Sequence, residues 1–176
     1  MSIAALKHAK SRLDHGLAAV LSLAMIFSVL LVLWQVLSRY VLTQPSSFTD
    51  EAVRCLLIWI GLLGGAQAAG KRLHLAILLL PERLSHRARH RLGACQQAVI
   101  GLFAIGALGI GGLSLVSLTF ELGQTSAALA LPLGWIYLVL PISGVLIAFY
   151  SALFAWDHLR QARGEAPLWP TEEGVN

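Results

Sequence analysis

Residues 16–37 read GLAAVLSLAMIFSVLLVLWQVL, and no charged side chain interrupts these 22 positions. A helix needs about 20 mostly apolar residues to cross the hydrocarbon layer of a bilayer. The run is also longer than the apolar part of a cleavable signal peptide, which is about 7–15 residues. Residues 16–37 therefore predict a membrane-spanning helix that is kept in the protein.

Three more windows have the same character, at residues 52–70, 92–120 and 129–156. Hydrophobic residues make up 57% of the chain, charged residues 12%, and the mean hydropathy is +0.72. A soluble domain carries about 25% charged residues. The sequence thus predicts an all-α membrane protein in which residues 1–176 form a single integral membrane domain with four transmembrane helices.

The segment HLAILLLPERLSHRARHR, residues 74–91, lies between the second and third spans. Its apolar half is too short to cross a bilayer, and its basic half is rich in arginine. An amphipathic segment lying in the membrane interface, with its arginines toward anionic lipid, fits this pattern. A basic loop that only fixes the topology is the alternative. The arginines concerned are Arg83, Arg87, Arg89 and Arg91.

Basic residues predict the orientation, because loops rich in Lys and Arg stay in the cytoplasm. They gather in the N-terminal segment, the link between spans 2 and 3, and the C-terminal tail, whereas the other two links hold only Arg39. Both termini are therefore predicted to be cytoplasmic. The clustered residues are Lys7, Lys10, Arg12, Lys71, Arg72, Arg83, Arg87, Arg89, Arg91, Arg160 and Arg163.

The predicted spans lack the groups that membrane chemistry uses. Arg54, near the start of the second, is the one charged residue in the four windows. Intramembrane enzymes and proton-coupled carriers usually place an ionisable residue deep in the bilayer. The six histidines flank the spans, which disfavours haem ligation, and Cys55 and Cys95 form no metal-type or redox pair. The sequence predicts no catalytic residue, no metal and no cofactor. The basic clusters flank spans, so nucleic acid is not indicated.

Small residues recur at helical spacing in the second and third spans. Such faces let helix backbones approach closely in lipid, where van der Waals contact holds helices together. The faces predict helix packing, either inside a four-helix bundle or against a larger membrane partner. The residues are Gly61, Gly64, Gly65, Ala69, Gly109 and Gly112.

The stretch FTDEAVR, residues 48–54, leads into the second span. Thr49 is a good N-cap, which would place Asp50 and Glu51 in the first turn, where the helix dipole favours negative charge. Arg54 is spaced to pair with either carboxylate. Two interpretations remain open: a self-neutralised helix start, or an outward-facing ion-pair site that docks a partner with Arg39, Asp50, Glu51 and Arg54.

The order of these residues resembles the small membrane subunit of TRAP transporters (tripartite ATP-independent periplasmic, DctQ-type). The resemblance covers about residues 15–155, and it depends on the order of short motifs within the four-span topology. In chain order these are Arg39, Tyr40, Phe48, Thr49, Asp50, Glu51, Arg54, Trp59, Gly64, Ala66, Lys71, Arg72, His74, Gln124, Thr125, Ser126, Pro132, Trp135, Tyr137, Pro141 and Ile142.

The resemblance implies a non-catalytic scaffold for a large multi-span subunit that moves substrate with sodium. It also implies a location in a bacterial inner membrane, and a periplasmic substrate-binding protein that delivers the substrate, commonly an organic acid. Membrane lipid is the remaining expected partner. Two readings from other classes compete with the scaffold: a self-contained four-span redox protein or enzyme, and a small homo-oligomeric carrier.

Overall fold

A computed structural model describes residues 3–41, 47–71 and 86–169, with side chains from residues 6 and 87 in the first and last ranges. The helices are α1 (Ile3–Tyr40), α2 (Ser47–Gly70), α3 (His86–Phe103), a π-helical segment (Ala104–Gly111), α4 (Gly112–Glu121), α5 (Leu133–Tyr137) and α6 (Val139–Ala162).

Four helical stretches are long and apolar enough to cross a membrane: Leu6–Tyr40, Ser47–Gly70, Arg87–Glu121 and Leu133–Ala162. This confirms the predicted all-α membrane fold with four transmembrane helices. The helices extend past most of the predicted apolar windows because backbone hydrogen bonding continues where the chain leaves the hydrocarbon layer. Of the proposed interfacial segment 74–91, residues 86–91 form the first turns of α3, and the rest lies outside the described residues.

The bundle has two ends. The end at which α1 stops, α2 starts and residues 122–132 link α4 to α5 is called the loop end. The opposite end, which holds the start of α1, the last turn of α2, the start of α3 and the end of α6, is called the tail end.

The last span is the central one and α1 is peripheral. In the apolar window of the last span 44% of residues are buried, against 6% in α1. Val139, Tyr150 and Phe154 of α6 are buried, whereas Leu23 and Phe27 of α1 are 66% and 55% exposed. Most of α1 therefore faces lipid or another protein.

Glycine allows the third and fourth spans to approach closely. A Cβ added at Gly144 would lie 2.9 Å from both the Ala104 carbonyl oxygen and the Gly109 nitrogen, and one at Gly112 would lie 2.9 Å from the Leu140 Cβ. Gly109 and Gly112, two of the predicted packing residues, thus lie at a contact inside the chain. Ala69 is also buried.

Replacing Gly144 with alanine should lower the stability of the detergent-solubilised chain by about 1–3 kcal/mol, the usual cost of overpacking a close-packed site. The new methyl group would meet backbone atoms of the third span, which cannot move without shifting the helix that contains them. Gly106→Ala is the matched control, because a Cβ there meets nothing within 4 Å. Thermal unfolding followed by circular dichroism would measure both variants, and equal melting temperatures would contradict the prediction.

The fourth span begins later than the predicted residue 129, because residues 129–132 belong to the preceding loop. The helix then has a local interruption at Leu138, between α5 and α6. Pro141 has no N–H to donate to the Tyr137 carbonyl, which would be its partner in a regular α-helix. The proline therefore accounts for the interruption, and it lies in the first turn of α6.

Candidate functional site

The first turn of α2 carries the charges that open the second span. The helix begins at Ser47, so Thr49 is its third residue. The prediction that Thr49 is the N-cap was therefore wrong. The Thr49 side chain is buried instead. Asp50 lies in the first turn, where exposed backbone N–H groups and the helix dipole favour a carboxylate.

Glu51 holds the loop between the third and fourth spans. Its Oε1 accepts a hydrogen bond from the Ala127 N–H at 3.1 Å, and its Oε2 accepts bonds from the Ala128 and Leu129 N–H groups at 2.5 and 3.0 Å. Hydrogen bonds to a carboxylate are stronger than those between neutral groups. One side chain of α2 is therefore bound to three consecutive amides more than 70 residues away in the sequence.

The loop presents these amides because it contains a single helical turn. The Ala130 N–H donates to the Ser126 carbonyl at 3.0 Å, which closes that turn. The first N–H groups of any helical turn have no partner within it. The Ser126 side chain is buried beside the Glu51 carboxylate. Glu51 thus caps a turn that belongs to another part of the chain.

Two residues with positive φ bend the loop into this shape. Gly123 has φ +60° and Ala130 has φ +50°. The left-handed region costs a residue with a Cβ about 1–2 kcal/mol, and such a conformation persists where surrounding contacts fix it. Around Ala130 the Ser126 N–H donates to the Leu131 carbonyl at 2.9 Å, and Glu51 binds the preceding three amides.

Arg54 pairs with Asp50 and not with Glu51. The Arg54 Nη2 lies 2.7 Å from the Asp50 Oδ2, and the two side chains are 74% and 46% exposed. The Gln35 Nε2 of α1 donates to the other Asp50 oxygen at 3.3 Å. Exposed ion pairs contribute about 0–1 kcal/mol to stability. This pair can therefore exchange its partners at little cost to the fold.

A cleft of about 310 Å³ opens beside these charges. Asp50, Glu51 and Arg54 line one side, and the apolar start of the fourth span lines the other. Arg39 lies at the same end of the bundle, where its guanidinium is 6.0 Å from the centre of the Tyr40 ring. The structure thus brings Asp50, Glu51 and Arg54 together at one cleft, whereas Arg39, at the end of α1, is not among the residues that line it.

The contact between Glu51 and the loop was not predicted. Gly123, Ser126 and Pro132 are typical turn residues and could have indicated a tight loop at this position. No local pattern indicates which distant carboxylate would bind its amides.

The small-residue face of α2 lies open in this chain. A Cβ added at Gly61, Gly64 or Gly65 would meet nothing within 4 Å. Gly64 lines an apolar groove of about 480 Å³ between α1 and α2, together with Met25 and Ile60. Packing of these three glycines inside the bundle, one of the two predicted interpretations, is therefore not found among the described residues. The groove and the glycines offer a surface to a second helix.

At the tail end, α3 begins with the basic residues that the sequence assigns to the lipid interface. Arg87, Arg89 and Arg91 are exposed, and Arg83 lies outside the described residues. Within the described ranges no three His, Cys, Asp or Glu side chains are placed to hold a metal ion.

Comparison with known proteins gives two matches. Residues 28–161 match the sequence model of the family described as "Tripartite ATP-independent periplasmic transporters, DctQ component". The chain is also 26% identical over 144 residues to the Sialic acid TRAP transporter small permease protein SiaQ of Vibrio cholerae. The matched stretch covers 78% of this chain and 79% of that protein. The family match runs from within α1 to the last turn of α6, so it includes the loop-end cleft and the open α2 face.

Proposed function

The chain belongs to the family of DctQ components of tripartite ATP-independent periplasmic transporters, and we propose that it scaffolds the large transport subunit of such a system. Membership makes it a small permease component of a bacterial transporter and not an enzyme. The four-span redox protein that the sequence left open is set aside on the same ground. The family match across the four spans is the observation on which the proposal depends.

In the proposed arrangement the chain lies in the bacterial inner membrane with both termini in the cytoplasm and the loop end in the periplasm. The distribution of Lys and Arg supports this, because the basic clusters lie at the tail end and few basic residues lie at the loop end. The exposed arginines at the start of α3 would then face the anionic cytoplasmic leaflet.

The large subunit would pack against α1 and the open face of α2. Gly61 and Gly65, four residues apart, leave room for the backbone of a second helix, and the apolar groove beside Gly64 can take its side chains. Close approach at small residues is a common way for helices to associate in lipid. The low burial of α1 also leaves it available for such a contact.

Substrate and sodium would move through the large subunit. The four apolar windows of this chain offer no ionisable group near the middle of the bilayer that could bind an anion or a cation. An organic acid is the proposed substrate class, and the sialic acid named for the Vibrio cholerae relative belongs to that class. The homo-oligomeric carrier remains the alternative.

The loop end would help to dock the periplasmic substrate-binding protein. Asp50 and Arg54 are exposed and bound mainly to each other, so either can turn to a charge on an incoming protein. Glu51 would act indirectly, by holding residues 127–129 in the shape that the binding protein contacts.

Deleting this chain while the large subunit and the binding protein are kept should abolish uptake by whole cells. A radiolabelled organic acid that the complete system imports would measure it, with membrane levels of the large subunit checked by immunoblot. Full uptake without this chain would contradict the scaffold role.

Charge reversal tests the docking role of the ion pair. Asp50→Arg and Arg54→Asp should each weaken docking of the binding protein several-fold, since like-charge contacts at interfaces are unfavourable and a rim charge mainly changes the association rate. If the two residues act as a pair, the double reversal should restore part of that loss. Surface plasmon resonance on the purified complex would measure the rates. Losses that simply add in the double variant would contradict a paired role.

A further inference from the structure

A second cleft, of about 240 Å³, lies at the tail end between the start of α1 and the segment after α6. One face of α1 forms its first wall with Lys7, Ser11 and His15, which recur every four residues, and Leu168 with Trp169 forms the second wall. We propose that this cleft binds the phosphate headgroup of an anionic phospholipid.

The second wall is fixed by specific contacts. Gly164, with φ +86°, reverses the chain after α6. The Leu168 N–H then donates to the buried Asp157 Oδ1 at 2.8 Å, and the Trp169 ring packs edge-on against Phe154 with 5.8 Å between ring centres. The returning segment is therefore an ordered part of the bundle.

The charges inside the cleft leave a positive balance. Asp14 is already satisfied, because one carboxylate oxygen lies 2.6 Å from the Lys10 Nζ and the other accepts a hydrogen bond from the Tyr150 hydroxyl at 2.7 Å. Lys7 is exposed and has no ion-pair partner among the described residues. Within the described part of the chain, Lys7 is thus a cation that no carboxylate neutralises.

The first wall also offers neutral hydrogen-bonding groups. The His15 Nδ1 lies 2.7 Å from the Ser11 carbonyl oxygen, and it must carry a proton to donate there. In the neutral ring the Nε2 is then an acceptor, so the Ser11 hydroxyl is the neutral donor that is left for a ligand. An ammonium and a hydroxyl on one helix face suit a phosphate group, which presents several acceptor oxygens.

The depth of the cleft favours a lipid as the source of the phosphate. His15 directly precedes the charge-free run of α1, and Lys7 lies eight residues before it, which is about 12 Å along the helix. The two headgroup layers together add about 10–15 Å to the hydrocarbon core. The cleft therefore starts at the hydrocarbon edge and crosses one headgroup layer, where tryptophan rings such as Trp169 are also enriched.

A phospholipid headgroup can enter the cleft whichever way the chain crosses the membrane. The cleft is too small for a helix, whereas a phosphate and its glycerol fit. The occupant is therefore identified as a phospholipid and not as a segment of another protein.

The proposal can be tested by native mass spectrometry of the full-length chain in detergent. The chain is titrated separately with phosphatidylglycerol and with phosphatidylethanolamine. The wild-type chain should retain phosphatidylglycerol more strongly, and Lys7→Gln should weaken that retention about five-fold, the contribution of one lysine near an anionic surface. Arg12→Gln is the matched control, because Arg12 is an exposed cation on the same helix that does not line the cleft. It should leave retention close to the wild-type level, because it does not line the cleft.

Equal losses in the two variants would show that a diffuse basic surface binds the lipid, and would overturn the proposal. Equal retention of the two lipids would overturn it as well. Displacement of phosphatidylglycerol by excess inorganic phosphate would assign the cleft to a free anion, which would also contradict a lipid site. Matching melting temperatures of the three proteins would show that the fold is unchanged.

Discussion

Replacing Glu51 with alanine is expected to release the loop between the third and fourth spans and to weaken docking of the binding protein severely. Three amides, those of Ala127, Ala128 and Leu129, would lose their common acceptor. Hydrogen–deuterium exchange of the peptide containing residues 126–132 should then become much faster, because these amides would open to water. Binding of the periplasmic protein to the complex should fall in parallel.

Two variants show whether the carboxylate itself is responsible. Glu121→Ala removes another exposed carboxylate at the loop end, and it should leave both measurements unchanged. Glu51→Gln keeps the size of the side chain but leaves a single acceptor oxygen, so its effect should be intermediate. Unchanged exchange in Glu51→Ala would show that the loop holds its shape without the Glu51 carboxylate.

Replacing Gly65 with leucine is expected to separate folding from assembly. The Gly65 face is open in this chain, so the isolated variant should melt at the wild-type temperature. A helix of the large subunit packed on that face would meet four new carbon atoms. Overpacking a close contact costs about 1–3 kcal/mol, so affinity for the large subunit should fall by about five-fold to 150-fold.

The control for this variant is Gly106→Leu. Gly106 is also exposed with open space around its Cα, but it lies on the third span, away from the groove between α1 and α2. Its replacement should leave co-purification with the large subunit unchanged. Equal losses from both replacements, or none from Gly65→Leu, would contradict the assignment of the α2 face to the large subunit.

The number and identity of the spans could be predicted because they depend on local composition. Twenty apolar residues must form a helix in lipid, where each backbone polar group needs a partner within the segment. The ends were harder to place, since a helix can continue into water and a cap depends on one or two residues. Thr49 satisfied the cap pattern, yet α2 starts two residues earlier.

The contacts within the site could not be predicted from local patterns. Glu51 had a sequence neighbour of opposite charge in Arg54, but it binds a loop whose position depends on how four helices pack. Spacing alone allowed Arg54 to pair with either carboxylate, and the structure pairs it with Asp50. The spacing along α2 suits both carboxylates as partners of Arg54. The position of the distant loop, which binds Glu51, leaves Asp50 as the partner.

The contact partners of the glycine faces could not be predicted from local patterns either. A stripe of small residues indicates that some backbone comes close, but it does not say which one. Gly112 meets the fourth span of its own chain, whereas Gly61 and Gly65 meet no part of the described structure. Only the placement of the neighbouring helices separates an internal contact from a surface that is available to another subunit.

The scaffold role is tested most directly by native mass spectrometry. The sample is membrane solubilised in mild detergent, from cells that produce this chain together with the large subunit of its transporter. A tag on the large subunit should recover this chain in a stable complex that contains both proteins. Recovery of the large subunit without this chain, and of this chain as an assembly of its own copies, would contradict it.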